Sequence, residues 1–295
     1  MVKINLGINN CFAVKRWPET EEWMSIIKEK FGLDIVQLST DVTDVNSCDA
    51  EKIKMYAEKF DLKIDSLFTG LSAYNSNMLA DPDSKIRSLN FKWYEKAIDF
   101  ASKLGCRSFG GHMGALSVRD FNDENRKKYM IDILMNEIRQ LSKIAKEKGL
   151  EYLLWEVMPV DREILSSIKN TEKYYNEINE ISSIPVYLCL DTGHMCSYSN
   201  KGYDRNPYVW IEKFSKYSPI IHIQQNDGNS DAHMPFTIKN NKNGIIKAEK
   251  VINSLKNSGT KEVTLIFEII HPYEYNESLI IDEIKESVDY FRKFI

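Results

Sequence analysis

Long apolar runs are missing from this chain: none reaches the roughly 18 consecutive residues that a membrane-spanning helix requires. The opening Met1-Val-Lys-Ile-Asn-Leu-Gly7 also lacks the apolar core of a secretory signal. Both absences point to a soluble, cytoplasmic protein. Cysteine is scarce, and its five residues, Cys11, Cys48, Cys106, Cys189 and Cys196, are scattered without a Cys-x-x-Cys pair. An odd, dispersed set speaks against a disulfide framework or a zinc ribbon and leaves reduced thiols as the expectation. Charge of one sign is missing too: 39 basic residues stand against 43 acidic ones, a net charge of −4, with no long block of either. Neither nucleic acid nor an anionic membrane is then expected as the main partner, and a small molecule becomes the default.

What the chain has is alternation. With 43% hydrophobic residues over 295 positions, it can bury a large core as one α/β domain or two smaller ones. Short apolar runs read as strands at Ile4 to Ile8, Ile35 to Leu38, Ile64 to Phe68, Ser108 to Gly110, Tyr152 to Glu156, Val186 to Asp191, Ile220 to Gln224 and Thr264 to Glu268. Between them, helical periodicity covers Glu19 to Lys30, Ala50 to Phe60, Ser84 to Leu104, Asn122 to Lys148, Thr171 to Ile181, Pro207 to Lys216, Ala248 to Ser258 and Ile280 to Phe294. In the longest of these, Ile131, Leu134, Met135, Ile138, Leu141, Ile144 and Ala145 recur at steps of three and four, and Gly149 stops it. Eight such units over 1–295, without a repeat or linker, fit a single (β/α)8 TIM barrel of the α/β class. An open doubly wound sheet is the competitor. Against it, the first strand runs into Gly7-Ile-Asn-Asn-Cys11 and not into a glycine-rich phosphate turn.

Four apolar runs end abruptly in a side chain that can bind a metal. They are Tyr152-Leu-Leu-Trp-Glu156, Leu188-Cys-Leu-Asp191, Ile220-Ile-His222 and Val263-Thr-Leu-Ile-Phe-Glu268. In a barrel these are the carboxyl ends of four successive strands, where catalytic groups collect. One such acid alone reads equally well as a helix cap or a surface charge. Four in succession read as a ligand set, because a carboxylate behind Trp155 or Phe267 needs a partner when buried. Three carboxylates and an imidazole suit Mn²⁺, Mg²⁺ or Co²⁺, with Zn²⁺ also accepted, and leave positions open for two substrate oxygens.

Such a site supports one kind of chemistry well. A divalent ion that bridges a carbonyl and its neighbouring hydroxyl stabilises an enediolate, and a nearby carboxylate takes the proton from carbon. Glu156 and Glu268, three strands apart around the ring, are placed to work on opposite faces of a sugar, one removing the proton and the other returning it. That is epimerisation. Return to the neighbouring carbon on a single face is aldose-ketose isomerisation, and the sequence leaves both open.

The same residues resemble the xylose isomerase-like sugar and sugar-phosphate isomerases and epimerases, and in particular the ketose 3-epimerase branch. The resemblance spans the whole chain and implies that Glu156, Asp191, His222 and Glu268 bind one divalent metal. It also implies that His194, three residues after Asp191, holds a substrate oxygen. Asn10-Cys-Phe-Ala-Val-Lys-Arg-Trp-Pro18, Phe68-Thr-Gly-Leu-Ser-Ala-Tyr74, Gly110-Gly-His-Met-Gly114 and His222-Ile-Gln-Gln-Asn-Asp227 look most like the erythrulose 1-phosphate 3-epimerase group. Where the tagatose 3-epimerase branch has an arginine after the His222 position, Gln224, Gln225 and Asp227 stand here. The implied reaction is epimerisation at C3 of a ketose or ketose phosphate, and similar barrels often form homodimers.

Other residues extend the site. His112 lies between glycines after the fourth strand, His233 lies in the long loop after the seventh, and Lys15 and Arg16 follow the first. Charge or hydrogen bonding at any of these suits a substrate phosphate, with Gln224 beside them. The plainer reading is a structural histidine for His112 and solvated loop charges for Lys15 and Arg16. His271 reads as support for Glu268 or as a loop cap. Phe12, Phe68, Trp155, Phe236 and Tyr273 read as pocket walls or plain packing. Two other classes stay in view: an endonuclease IV-like nuclease, which needs a basic groove and more histidine than five, and a sugar-binding protein without catalysis, which has no use for two proton-transferring glutamates.

Overall fold

A computed structural model describes residues 2–40, 49–196 and 201–295. Eight parallel strands close into one barrel in sequence order. They are β1 (Lys3–Asn9), β2 (Ile35–Thr40), β3 (Lys63–Thr69), β4 (Ser108–Gly111), β5 (Tyr152–Glu156), β6 (Val186–Asp191), β7 (Ile220–Ile223) and β8 (Glu262–Phe267). Helices separate them: α1 (Thr20–Ser25), α2 (Ala50–Lys59), α3 (Ser84–Leu104), α4 (Val118–Asn122), α5 (Glu124–Glu147), α6 (Ile168–Ile181), α7 (Pro207–Phe214), α8 (Ile238–Asn243), α9 (Ala248–Asn257) and α10 (Glu277–Arg292). No described helix is long and apolar enough to cross a membrane. Cys48 lies outside the described residues, and the other four cysteines are free thiols.

The strands read as continuous apolar runs because a parallel strand between barrel interior and helix layer is buried on both faces. Tyr152–Glu156 is buried at every position. Most expected boundaries hold to within a few residues, with three local departures. The helix expected over Asn122 to Lys148 is broken at Asp123, whose backbone is extended (φ −113°, ψ 112°) so that its side chain can cap Asn125 and Arg126. The segment after Ser25 widens into a π-helix over Ile26–Phe31. β7 stops at Ile223 and β8 at Phe267, which puts Gln224 and Glu268 one residue past their strands.

By packing, the chain divides into two compact units: 1–38 with 51–64 and 189–295, and 39–50 with 65–188. In the first, β8 pairs with β1 from Lys3 against Glu262 to Ile8 against Phe267, and with β7 from Ile220 against Thr264 to Ile223 against Phe267. Phe291 of α10 is fully buried there, with its ring 4.8 Å from Phe236 and 5.5 Å from Phe267, both edge-on. Phe236 is therefore core packing. In the second unit, β3, β4 and β5 pair in register, Phe68 against Gly110 and Gly110 against Leu154.

Candidate active site

Asp191 ends β6 and is fully buried. Its Oδ1 accepts three N–H groups: backbone Gly193 at 2.7 Å, backbone His194 at 3.0 Å and Nε2 of Gln224 at 3.0 Å. Oδ2 is also buried and has no hydrogen-bond partner. A buried carboxylate oxygen with nothing to accept is costly, and here the cost falls on one oxygen of a pair whose other member is saturated. The Asp-Thr-Gly-His motif has a physical reason at its glycine. A Cβ at Gly193 would stand 2.3 Å from Cδ and 2.5 Å from Oε1 of Gln224, so only glycine lets that amide lie against the strand end. Gln224 is turned one way round, because Oε1 accepts the backbone N–H of His233 at 2.7 Å and Nε2 is left to donate to Asp191.

His222, in β7 beside Asp191, is fully buried. Its Nε2 is 2.7 Å from Oε1 of Gln37, and its Nδ1 is 3.0 Å from Oε2 of Glu268 and 3.9 Å from Oδ2 of Asp191. One ligand atom each from Asp191, His222 and Glu268 lies within 4.8 Å of the others. Two carboxylate oxygens and a ring nitrogen turned on one point repel unless a proton or a cation sits among them. Oxygen and nitrogen donors with one bare carboxylate oxygen fit a divalent ion such as Mg²⁺, Mn²⁺, Co²⁺ or Zn²⁺.

Glu268 follows β8, with a side chain only 13% exposed. Burial pushes its carboxyl up, but the positive character of His222, then of His233 and His194, outweighs it and holds the group below its ordinary range. A second cluster stands beside it. Asp231 lies 3.2 Å from Nε2 of His194 through Oδ2 and 3.2 Å from Nε2 of His233 through Oδ1, and it accepts Nε2 of Gln224 at 3.1 Å. Nδ1 of His233 donates to the carbonyl of Glu268 at 3.1 Å. Burial disfavours charge on His233, yet Asp231 and Glu268 raise it to about 9; burial likewise disfavours charge on Asp231, but His194 first and His233 after it hold that carboxyl far below the usual carboxylate range. The loop carrying both residues is closed at its base by Gln225 and Met234, whose N–H groups donate to each other's carbonyls at 2.8 and 3.1 Å.

In the other unit, Glu156 ends β5 and His112 follows β4, both buried. Nδ1 of His112 is 3.0 Å from Oε2 of Glu163, and its ring stacks on Tyr74 at 5.1 Å. Burial disfavours charge on His112, and Glu163 with Glu156 reverses that, so its pKa is raised. Gly111 beside it has φ +130°, and a Cβ there would sit 2.1 Å from Oγ1 of Thr69, the atom that accepts the backbone N–H of His112. Lys15 is exposed at the rim, 5.6 Å above the ring of Tyr273. Nε2 of His271 donates to Oε2 of Glu283 in α10 at 2.9 Å, which gives it a loop-anchoring place.

A family model described as the xylose isomerase-like TIM barrel matches residues 27–294. The chain belongs to this family. Across 301 aligned positions it is 26% identical to the D-erythrulose 1-phosphate 3-epimerase of Brucella abortus (strain 2308), covering 99% of this chain and 96% of that one. A crystal structure from Rhodospirillum rubrum, assigned as a candidate xylose isomerase, is similar with a TM-score of 0.91 at 26% identity over 99% of either chain. D-psicose 3-epimerase from Clostridium cellulolyticum H10, solved with D-tagatose, is similar with a TM-score of 0.75 at 15% identity, over 98% of this chain and 99% of that one. At that identity the likeness speaks for the fold alone. Family and relatives together make this xylose isomerase-like chain an enzyme of the isomerase class.

Several residues around this family's strand ends escaped the reading of the sequence. Asn9 and Gln37 are fully buried amides, and the one signal was a glutamine inside the apolar run Ile35-Val-Gln-Leu38. Glu163 sits in Val160-Asp-Arg-Glu163, which looks like an ordinary solvated charge run. Asp231 was legible only as a neighbour of His233 in the long loop after the seventh strand, not as the partner of both His194 and His233.

Proposed function

We propose that the chain epimerises C3 of a ketose phosphate, erythrulose phosphate-like, with one divalent metal held by Glu156, Asp191, His222 and Glu268. The observation that carries the reading is Oδ2 of Asp191, buried and unpartnered on the side facing His222 and Glu268. Glu156 completes the set: it ends β5 as Asp191 ends β6, and it is buried. The ion, when bound, supplies positive charge to the carbonyl oxygen and the neighbouring hydroxyl of the sugar. The chain's own groups do the rest. Glu268, kept ionised by its histidine neighbours, accepts or returns the C3 proton on one face, and Glu156 serves the other. His194 and His112 are proposed to hold sugar oxygens, with His233 and Lys15 toward a phosphate. Gln224, whose amide is engaged with Asp191, Asp231 and the backbone of His233, acts on the substrate through Asp191. Support for the substrate class comes from the Brucella relative, a 3-epimerase of D-erythrulose 1-phosphate that matches from end to end.

The test is an NMR screen in deuterium oxide with Mn²⁺ or Mg²⁺ over ketoses and ketose phosphates. The expected result is deuterium at C3 with inversion. Glu156→Gln and Glu268→Gln are each expected to slow exchange by about 10²–10⁴-fold, the usual worth of a general base. Exchange retained in both variants would sink the proton-transfer roles, and an aldose product would turn the assignment to isomerisation.

A further inference from the structure

The orientation of His222 is settled by a row of hydrogen-bonding groups that leads back to the main chain. Asn9 ends β1 and caps the short 3-10 turn Asn10–Ala13, with its Oδ1 accepting the backbone N–H of Cys11 at 2.8 Å. A backbone N–H can only donate, so the oxygen of the Asn9 amide is fixed there and its NH2 points the other way. That NH2 donates to Oε1 of Gln37 at 2.9 Å, and the same Oε1 is 2.7 Å from Nε2 of His222. An amide oxygen cannot donate, so Nε2 of His222 must carry the proton. The lone pair of a neutral ring is then on Nδ1, the atom that faces Glu268 and Asp191. All three residues are fully buried, so no solvent competes for the bonds.

We propose that Asn9 and Gln37 are positioning residues, a pair of neutral amides that fixes His222 as the Nε2–H tautomer and so presents Nδ1 to the cation. The inference rests on the metal reading of Asp191, His222 and Glu268, and adds a selection step behind it. Imidazole ligands are ordinarily oriented by an acceptor on the other ring nitrogen. Here that acceptor is uncharged and is itself turned by Asn9, the last residue of the barrel's opening strand. The direction of the whole row follows from one backbone N–H, that of Cys11. Asn9→Asp replaces a single NH2 by oxygen and reverses the row: Gln37 must then turn its own NH2 toward residue 9 and toward His222, and the ring proton moves to Nδ1.

The experiment is long-range ¹H–¹⁵N NMR of the metal-free full-length protein at a pH high enough that the His222 ring is neutral, with the His222 signal identified by its loss in His222→Asn, together with Mn²⁺ titration followed by the electron paramagnetic resonance of free Mn²⁺. The wild type is expected to show the Nε2–H form. Gln37→Met, close in shape and without an amide, is expected to mix the tautomers and weaken Mn²⁺ binding by about 10- to 100-fold. Gln37→Glu, which keeps an acceptor, is expected to retain both tautomer and affinity, and Asn9→Asp to shift the proton to Nδ1. A structural role alone would change melting temperature and leave the tautomer where it was. An unchanged Nε2–H form in both Gln37→Met and Asn9→Asp overturns the pair, whatever Mn²⁺ does. A wild type that binds no Mn²⁺ while its tautomer still follows residues 9 and 37 upholds the pair and removes the metal reading, so the two failures are separate. If Gln37→Met does not fold, Asn9→Asp and Gln37→Glu decide between the same outcomes.

Discussion

Gly193→Ala tests whether the strand-6 motif is built around the Gln224 amide. The added Cβ would lie 2.3 Å from Cδ, 2.5 Å from Oε1 and 2.7 Å from Nε2 of Gln224. These atoms belong to a fully buried residue whose amide bonds Asp191, Asp231 and the backbone of His233, so the side chain cannot swing away freely. Overpacking of this kind costs about 1–3 kcal/mol, and loosening a hydrogen bond to a charged group adds about 1.5–3 kcal/mol. Partial relaxation leaves a net of about 2–4 kcal/mol as the expectation. At about 2.1 cal/mol/K of unfolding entropy per residue, a chain of 295 residues shifts by roughly 1.6 °C per kcal/mol, so the melting temperature should fall by about 3–6 °C. The decisive assay is a double-mutant cycle by calorimetry. Gln224→Ala empties the space that the methyl invades, so Gly193→Ala in that background should cost less than about 0.5 kcal/mol. Equal cost in both backgrounds would refute the reasoning and place the strain in the backbone.

Metal removal is read the same way: an ion present at 100 times its Kd stabilises by about 2.7 kcal/mol, so chelation should lower the melting temperature by about 4 °C, and an unchanged transition would count against the site. His271 is buried, and burial first, then the charge of Arg16, depresses its pKa against the pull of Glu283. Its folded-state value lies below the unfolded one near about 6.5, so the unfolded chain takes the proton first. The stability it contributes is present above that pH and is lost as pH falls through the folded value. Urea midpoints between pH 8 and 5 should show the loss, and His271→Gln should flatten it. Phe291→Ala is expected to cost about 3–5 kcal/mol, measured by denaturant unfolding, because the ring fills the space between Phe236 and Phe267. Lys3→Ala, which removes an exposed pair with Glu262 at 2.7 Å, should change stability by less than about 1 kcal/mol.

The barrel was legible because most strand residues are buried on both faces and the strands announce themselves as apolar runs. Tyr152–Glu156 and Val186–Asp191 stand at the residues expected of them. Asp191, His222 and Glu268 were legible for the complementary reason, as polar interruptions that an apolar run does not otherwise tolerate. The π-helix at Ile26–Phe31 left no mark, since its apolar residues satisfy an α-helical period nearly as well. Short α8 was hidden in the polar run Lys239-Asn-Asn-Lys-Asn243. The amides were hidden more deeply. What Asn9 and Gln37 do depends on which atom of each faces which neighbour, and that is decided by β1 pairing with β2, Asn9 opposite Gln37, not by either residue's type.

The clasp between Gln225 and Met234 has a consequence for how this loop can be rebuilt. With both ends of the excursion tied to each other, residues can be added within it for a closure entropy that grows only with the logarithm of length, about 0.6 kcal/mol per doubling. Asp231 and His233 sit just inside the second jaw, so a graft that keeps those last positions keeps the histidine cluster while the preceding span is rewritten. Two peptide hydrogen bonds set where the loop begins and ends, and the bonds of Asp231 and His233 to Gln224 and Glu268 set how its last turn lies.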